Sequence, residues 1–215
     1  MKHLAIICDG NRRWAKRQGL PSCVGYVQGL VAIENLCVSA MEHGIEYLSM
    51  FCFSTENWQR PTAEVDYIMN LACDYLLDKK EWYHDRGIKV RFRGRRDRLP
   101  PAVVESMLII EQYTAECENL TLHIMMDYGG RQDIVEAVKS GAESEEEISR
   151  YFCGIAPEPD VVIRTGGHRR LSNFLLWQAA YSELFFVDTL FPDFKERELD
   201  EILEEYKSIQ KNYGR

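Results

Sequence analysis

The stretch Ile6-Ile7-Cys8-Asp9-Gly10-Asn11-Arg12-Arg13-Trp14-Ala15-Lys16 reads as a turning point from strand to helix. Its apolar opening carries β-branched residues, as a buried strand does, and it breaks on an acid, a glycine and an amide before the residues become helix-forming. Gly10 lets backbone N–H groups approach a ligand, the new helix offers its positive end, and Arg12, Arg13 and Lys16 add cations, a set that suits a phosphate ester. Asp9 is the odd member. A carboxylate repels phosphate unless a cation lies between them, and Mg2+ is the usual bridge, so the stretch predicts Mg2+ and a diphosphate. It fits equally a plain strand-to-helix turn, with Asp9 capping the helix and the arginines solvated.

Outward from there the chain keeps one cadence. Apolar residues at helical spacing predict a helix over 25–44, ended by Gly44, then a buried strand over 47–53 followed at once by polar residues. A long amphipathic helix is expected over 62–86, a strand over 88–92, a helix over 99–117 and a strand over 120–126 leading into Asp127-Tyr128-Gly129-Gly130-Arg131 and another helix. The acidic run 143–147 opens a solvated helix capped by Ser144. A strand then ends at Arg164, residues 174–181 read as an apolar helix, an acid stands just ahead of a strand near 183–187, and a final helix covers about 192–213. This alternation predicts an α/β fold in a single domain over 1–215, with a central, mostly parallel six-stranded sheet flanked by helices and ligands at the carboxyl ends of its strands.

A net charge of −8 over 215 residues argues against a general nucleic-acid binder, while 26 Lys and Arg leave room for local anion sites. The seven cysteines are odd in number and widely spaced, and read as reduced core residues of a cytoplasmic protein. No zinc spacing, signal peptide, repeat or apolar run of membrane-spanning length stands out. Near residue 164 lies a second anion cradle, Ile163-Arg164-Thr165-Gly166-Gly167-His168-Arg169-Arg170-Leu171-Ser172, where guanidinium groups can fork onto phosphate oxygens and a hydroxyl can complete the set. His168 gains interest from that basic loop. The absence of a Walker loop, a dinucleotide glycine fingerprint and an aspartate-rich DDxxD pair makes ATP and NAD poor candidates and leaves two substrates that each bring a diphosphate.

Six blocks in order carry a family resemblance: Asp9-Gly10-Asn11-Arg12-Arg13-Trp14-Ala15, Phe53-Ser54-Thr55-Glu56-Asn57-Trp58-Gln59-Arg60-Pro61, Asp127 to Ile134, Ile163 to Gly167, Leu171 to Gln178 and Tyr181-Ser182-Glu183-Leu184. The chain resembles the cis-prenyltransferases, the undecaprenyl diphosphate synthase family. That resemblance implies a homodimeric enzyme with a parallel sheet, an apolar substrate tunnel and a Mg2+-dependent condensation of isoprenyl diphosphates. By position, Asp9 would hold Mg2+, with Glu183 near the metal, acting across the dimer interface. Gly10, Asn11, Arg12, Arg13 and Arg60 would bind the donor diphosphate, and Arg164, Arg170 and Ser172 that of the acceptor. Asn57, with Asp9, would act at the reacting centre, and Trp14, Tyr26, Phe53, Trp58, Met125, Met126 and His168 would line the substrate.

The departures from the family pattern are Arg12 in place of glycine, Ser22 in place of arginine, Tyr26 in place of histidine and His168 in place of an acid. Arg12, Tyr26 and His168 are similar to the lavandulyl-type branch, which joins two allylic diphosphates head to middle. Glu56-Asn57-Trp58 and Ser172-Asn173-Phe174 resemble the regular enzymes that elongate with isopentenyl diphosphate. Met125 and Met126 point to opposite sides of a strand, so at least one should narrow a tunnel and shorten the product, unless both simply fill the core as methionines on buried strands commonly do. A non-catalytic partner subunit is the reading from another class, and the convergent charges of Asp9, Arg13, Arg60 and Arg164 argue against it.

Overall fold

In a computed structural model that describes residues 1–209, six strands form one sheet in the order β3-β4-β2-β1-β5-β6. They are β1 (His3–Ile7), β2 (Tyr47–Ser54), β3 (Ile88–Arg93), β4 (Leu120–Tyr128), β5 (Val161–Arg164) and β6 (Glu183–Phe186). Every pairing is parallel, so the sheet is wholly rather than mostly so. The helices are α1 (Asn11–Arg17), α2 (Ser22–Glu42), α3 (Thr62–Asp85), α4 (Pro101–Tyr113), α5 (Gly130–Lys139), α6 (Glu145–Cys153) and α7 (Glu196–Ser208). The expected end of the last helix at Tyr213 lies outside the described residues.

Both faces of the sheet are buried, as parallel strands require. One face packs Leu4, Ile6, Leu48, Met50, Leu122 and Ile124 against Leu36, Met69, Met107 and Leu199 of the helices. That packing explains α2, which by length and composition alone could cross a membrane and whose apolar side is spent on the core. The opposite face buries Ala5, Ile7, Phe51, Met125 and Val162 under Phe174, Leu175 and Ala179.

The cover on that second face is not the apolar helix expected over 174–181. Ser172, Asn173 and Leu175 all take positive φ, at 51°, 66° and 40°, and a helix cannot propagate through left-handed residues. The chain instead makes a run of turns, pinned by Asn173, whose carbonyl accepts from Gly130 N at 2.7 Å and whose side-chain oxygen accepts from Arg131 N at 3.0 Å. Elsewhere the local signals hold. Ser144 accepts from Glu147 N at 3.2 Å as the cap of α6. Helix α4 differs from the expected 99–117 span and ends at Tyr113, where the C-cap Thr114 donates its hydroxyl to Ile110 O at 2.7 Å and accepts from Val90 N of β3 at 3.0 Å.

Two histidines lie beneath the sheet's amino ends. His3 contacts Ser49 Oγ at 2.8 Å and Pro157 O at 2.6 Å, and burial pulls its pKa down to about 4. Burial, then the neighbouring His3, lowers His123 to about 3. Both rings stay neutral in the folded chain while the unfolded chain takes up their protons below about pH 6.5, so this stability is complete above 6.5 and is lost as pH falls toward 4. His3 alone accounts for about 3 kcal/mol at the acid end. Thermal melts between pH 7.5 and 5 should fall in Tm below 6.5, and His123→Gln should flatten the slope; equal slopes would show that the rings are protonated without cost.

Candidate active site

A cavity of about 1140 Å3 opens at the carboxyl ends of β1, β2 and β5. Register builds it. Ile7 pairs with Arg164 across β1 and β5, which sets Asp9, two residues on, beside that guanidinium. Arg164 is 4% exposed and donates to Asp9 Oδ2 at 2.9 Å, to Ser172 Oγ at 2.6 Å and to Arg170 O at 2.6 Å. Arg13, one turn into α1, donates to Asp9 Oδ1 at 3.1 Å. The two anion cradles read from the sequence are therefore one array, joined through the Asp9 carboxylate.

Thr165 fixes the backbone of that acid, accepting from Asp9 N at 3.0 Å and donating to Asp9 O at 2.7 Å. Sequence reasoning passed over it, because a threonine between an arginine and two glycines carries no signal of its own. Gly10 has φ 123°, and an added Cβ would stand 2.9 Å from the Leu190 side chain, so the turn into α1 requires glycine.

A second group lies on the same cavity. Tyr26 donates to Glu64 Oε1 at 2.5 Å, Arg60 donates to Tyr26 Oη at 3.1 Å and to Glu64 at 3.4 Å, and Arg12 stands 3.7 Å from the same carboxylate. Burial, then Glu64, raises the Tyr26 phenol well above its usual range. Arg12 and Tyr26, two of the departures from the family pattern, thus meet in one network. Glu64 was missed, although its place four residues after Arg60 is a readable pairing signal.

Asn57, in the 3-10 turn Thr55–Gln59, lines the cavity and accepts from Ser54 N at 3.1 Å. His168, Arg170 and Ser172 complete the far wall. Asn11 faces both this cavity and an apolar one below it, with its Oδ1 buried and unpartnered.

The apolar cleft, of about 100 Å3, is lined by Phe53 and Met126 and closed by Tyr75 and Tyr83. A β-bulge creates it. Phe51 pairs with Met125 but Phe53 pairs with Met126, so Cys52 is the extra residue on β2, and Phe51 and Phe53 end on opposite faces. Cys8 and Cys52 line both cavities, and burial, then Cys52, pushes the Cys8 thiol up.

Three expected site residues, Met125, Trp58 and Trp14, stand elsewhere. Met125 packs with Phe51 and Tyr128 on the opposite face, so Met126 alone narrows the cleft. Trp58 stacks edge-on against Phe53 and donates to Asp127 Oδ1 at 2.9 Å, which places it behind the wall. Trp14 turns away to donate to Asp193 at 2.8 Å. Glu183 opens β6 level with Val161, three residues below Arg164, and does not reach Asp9 within one chain.

The donor set fits Mg2+. Asp9 keeps a free lone pair on each oxygen beside its arginine partners, and Mg2+ typically takes one or two carboxylates and draws its other oxygens from substrate phosphates and water. Among the described residues no cluster of three or more His, Cys, Asp or Glu side chains forms a separate metal cage.

A cationic cavity at the carboxyl ends of a parallel sheet, opening onto an apolar cleft, is an arrangement that suits an α/β enzyme of phosphate esters that carry an apolar chain. The prenyltransferase family model for undecaprenyl diphosphate synthase matches residues 7–214. Isoprenyl transferases of Aquifex pyrophilus and of Neisseria meningitidis serogroup A are 43% and 41% identical, covering all of this chain and 96% and 89% of theirs. Among solved structures, lavandulyl diphosphate synthase from Lavandula x intermedia, in complex with dimethylallyl diphosphate, is 32% identical with a TM-score of 0.94, covering 100% of this chain and 98% of its own. A probable undecaprenyl diphosphate synthase from Campylobacter jejuni is 33% identical with a TM-score of 0.85, covering 100% and 99%. The chain belongs to the undecaprenyl diphosphate synthase family and is a prenyltransferase.

Proposed function

We propose that this chain is a cytoplasmic, homodimeric, Mg2+-dependent prenyltransferase that joins short isoprenyl diphosphates with release of diphosphate, favouring head-to-middle coupling of two allylic diphosphates. The observation that carries the reading is the Asp9, Arg13 and Arg164 array set directly over an apolar cleft. Arg13 and Arg60 hold the donor's diphosphate, and Arg164, Arg170 and Ser172 that of the acceptor. Asp9 would hold Mg2+, which when bound would supply positive charge to the departing diphosphate. The guanidinium groups of Arg13, Arg60 and Arg164 are already fixed by hydrogen bonds to Asp9, Tyr26 and Ser172, so they meet the charge that develops on the leaving oxygen without reorganising. Asn57 fixes the turn beside the reacting carbon, and the cleft shields the growing chain from water.

Head-to-middle coupling is favoured by the network of Arg12, Tyr26, Arg60 and Glu64 at the donor wall and by His168 opposite, where an acid would repel a second diphosphate. Regular elongation with isopentenyl diphosphate is favoured by the Glu56-Asn57-Trp58 and Ser172-Asn173-Phe174 blocks, which resemble the regular enzymes. Purified protein given Mg2+ and dimethylallyl, geranyl or farnesyl diphosphate, with and without isopentenyl diphosphate, separates the two. Branched product from allylic substrates alone supports head-to-middle coupling, whereas product that needs isopentenyl diphosphate and grows in five-carbon steps overturns it. The dimer is supported by apolar side chains left open on edge strand β6 and on α5, notably Leu184, Val135 and Val138, and sedimentation tests it.

Met126→Ala should open the cleft and lengthen the accepted chain by at least one isoprene unit, read by mass spectrometry of the dephosphorylated products. Met125→Ala should leave length unchanged and lower stability by about 2–4 kcal/mol, as a buried methionine truncation does. Equal product lengths from parent and Met126→Ala would remove Met126 from the cleft wall.

A further inference from the structure

Cys8 and Cys52 stand where the two cavities meet, and both residues line both of them. The pairing of Ile7 with Phe51 brings Cys8 level with Cys52 on the adjacent strand. Neighbouring strands run about 4.8 Å apart, inside the Cα separation that a disulfide accepts. The bulge leaves Cys52 without a partner on β4 and exposed, while Cys8 is half-buried with its Sγ 3.7 Å from Ile6 O. The other five cysteines are also free, and none of them lines either cavity.

We propose that Cys8 and Cys52 are a redox modification site, a thiol pair that hydrogen peroxide converts to a disulfide across the throat between the diphosphate pocket and the apolar cleft. The exposed Cys52 sulfur attacks the peroxide O–O bond, becoming a sulfenic acid as one water leaves. The Cys8 sulfur then attacks the Cys52 sulfur. The S–S bond forms, the S–O bond breaks and a second water departs, so two thiols give up two electrons to one hydrogen peroxide. The link ties the end of β1 to the bulge of β2 and draws both sulfurs into the path that a prenyl chain takes from phosphate pocket to cleft. This last consequence rests on the prenyltransferase reading; the bond itself does not.

Purified full-length protein is treated with hydrogen peroxide at neutral pH, and tryptic peptides are mapped without reduction. The expected result is a peptide joining Cys8 to Cys52, a loss of two free thiols, and at least a tenfold fall in prenyl transfer that dithiothreitol reverses. Cys52→Ser should yield no linked peptide and no dithiothreitol-reversible loss. Oxidation of Cys52 to the sulfinic acid with Cys8 still a thiol, or a link to any other cysteine, overturns the pair. A Cys8–Cys52 peptide with unchanged turnover overturns the gating. A chain with no prenyl transfer before oxidation fails the functional reading, and the peptide map still decides the pair.

Discussion

The Asp9→Asn protein is expected to turn over at least about a thousandfold more slowly than the parent at saturating Mg2+ and prenyl diphosphate. The substitution keeps the shape of the side chain and removes its charge. In the parent that charge has two tasks: it receives Arg13 at 3.1 Å and Arg164 at 2.9 Å, and it offers the hard oxygen that Mg2+ needs beside a diphosphate. An amide can accept one of those guanidinium bonds, yet its nitrogen opposes the other. Stability should change far less than turnover. Arg164 is nearly buried, but Ser172 Oγ and Arg170 O still accept from it, so the expected cost is about 1–2 kcal/mol, or roughly 5 °C in Tm. Steady-state rates and melts on one preparation check both halves. Turnover within tenfold of the parent would remove Asp9 from the chemistry; a protein that fails to melt cooperatively would make it a folding residue instead.

Much of this site was legible because short strands advertise their ends. Asp9-Gly10-Asn11 and Arg164-Thr165-Gly166 each follow an apolar run, and a parallel sheet collects such ends on one edge, so both cradles could be placed before any register was known. That they share one carboxylate depends on the pairing of Ile7 with Arg164, which no local pattern contains. The same limit governs Met125 and Met126. Alternation puts them on opposite faces, but the bulge at Cys52 and the packing of Phe174 decide which face is the cleft. Residues 174–181 were misread for a different reason. Phe174, Leu175, Leu176, Trp177, Ala179 and Ala180 are dense in apolar and helix-forming types, and propensity carries no trace of the contacts that hold Ser172, Asn173 and Leu175 at positive φ. Trp58 was placed at the substrate by block resemblance, whereas its indole serves Asp127, a carboxylate fully buried by Arg98 and Trp58 together.

Gly25→Ala carries the second large effect, and two opposing terms decide its sign. On helix α2 alone, alanine is favoured over glycine by about 1 kcal/mol. In the folded chain, however, a Cβ on Gly25 would stand 2.1 Å from the backbone carbonyl oxygen of Asn11, and a backbone atom cannot rotate aside. One turn on, a Cβ on Gly29 would stand 2.7 Å from Asn11 Oδ1, a side-chain atom with more freedom. The two glycines form a notch in α2 that admits Asn11 and so sets how closely α1, with Arg12 and Arg13, lies against the cavity. Overpacking a close contact costs about 1–3 kcal/mol and more where the backbone must move, which outweighs the propensity gain. Gly25→Ala should therefore lose about 2 kcal/mol, roughly 4–8 °C in Tm, and raise KM for the allylic diphosphate at least tenfold as Arg13 is displaced. Gly29→Ala should do the same more weakly, with Tm near that of the parent. If Gly25→Ala instead melts at or above the parent temperature with KM unchanged, α1 and α2 can separate without cost, and the position of Arg13 is then set by its bond to Asp9 rather than by the helix seam.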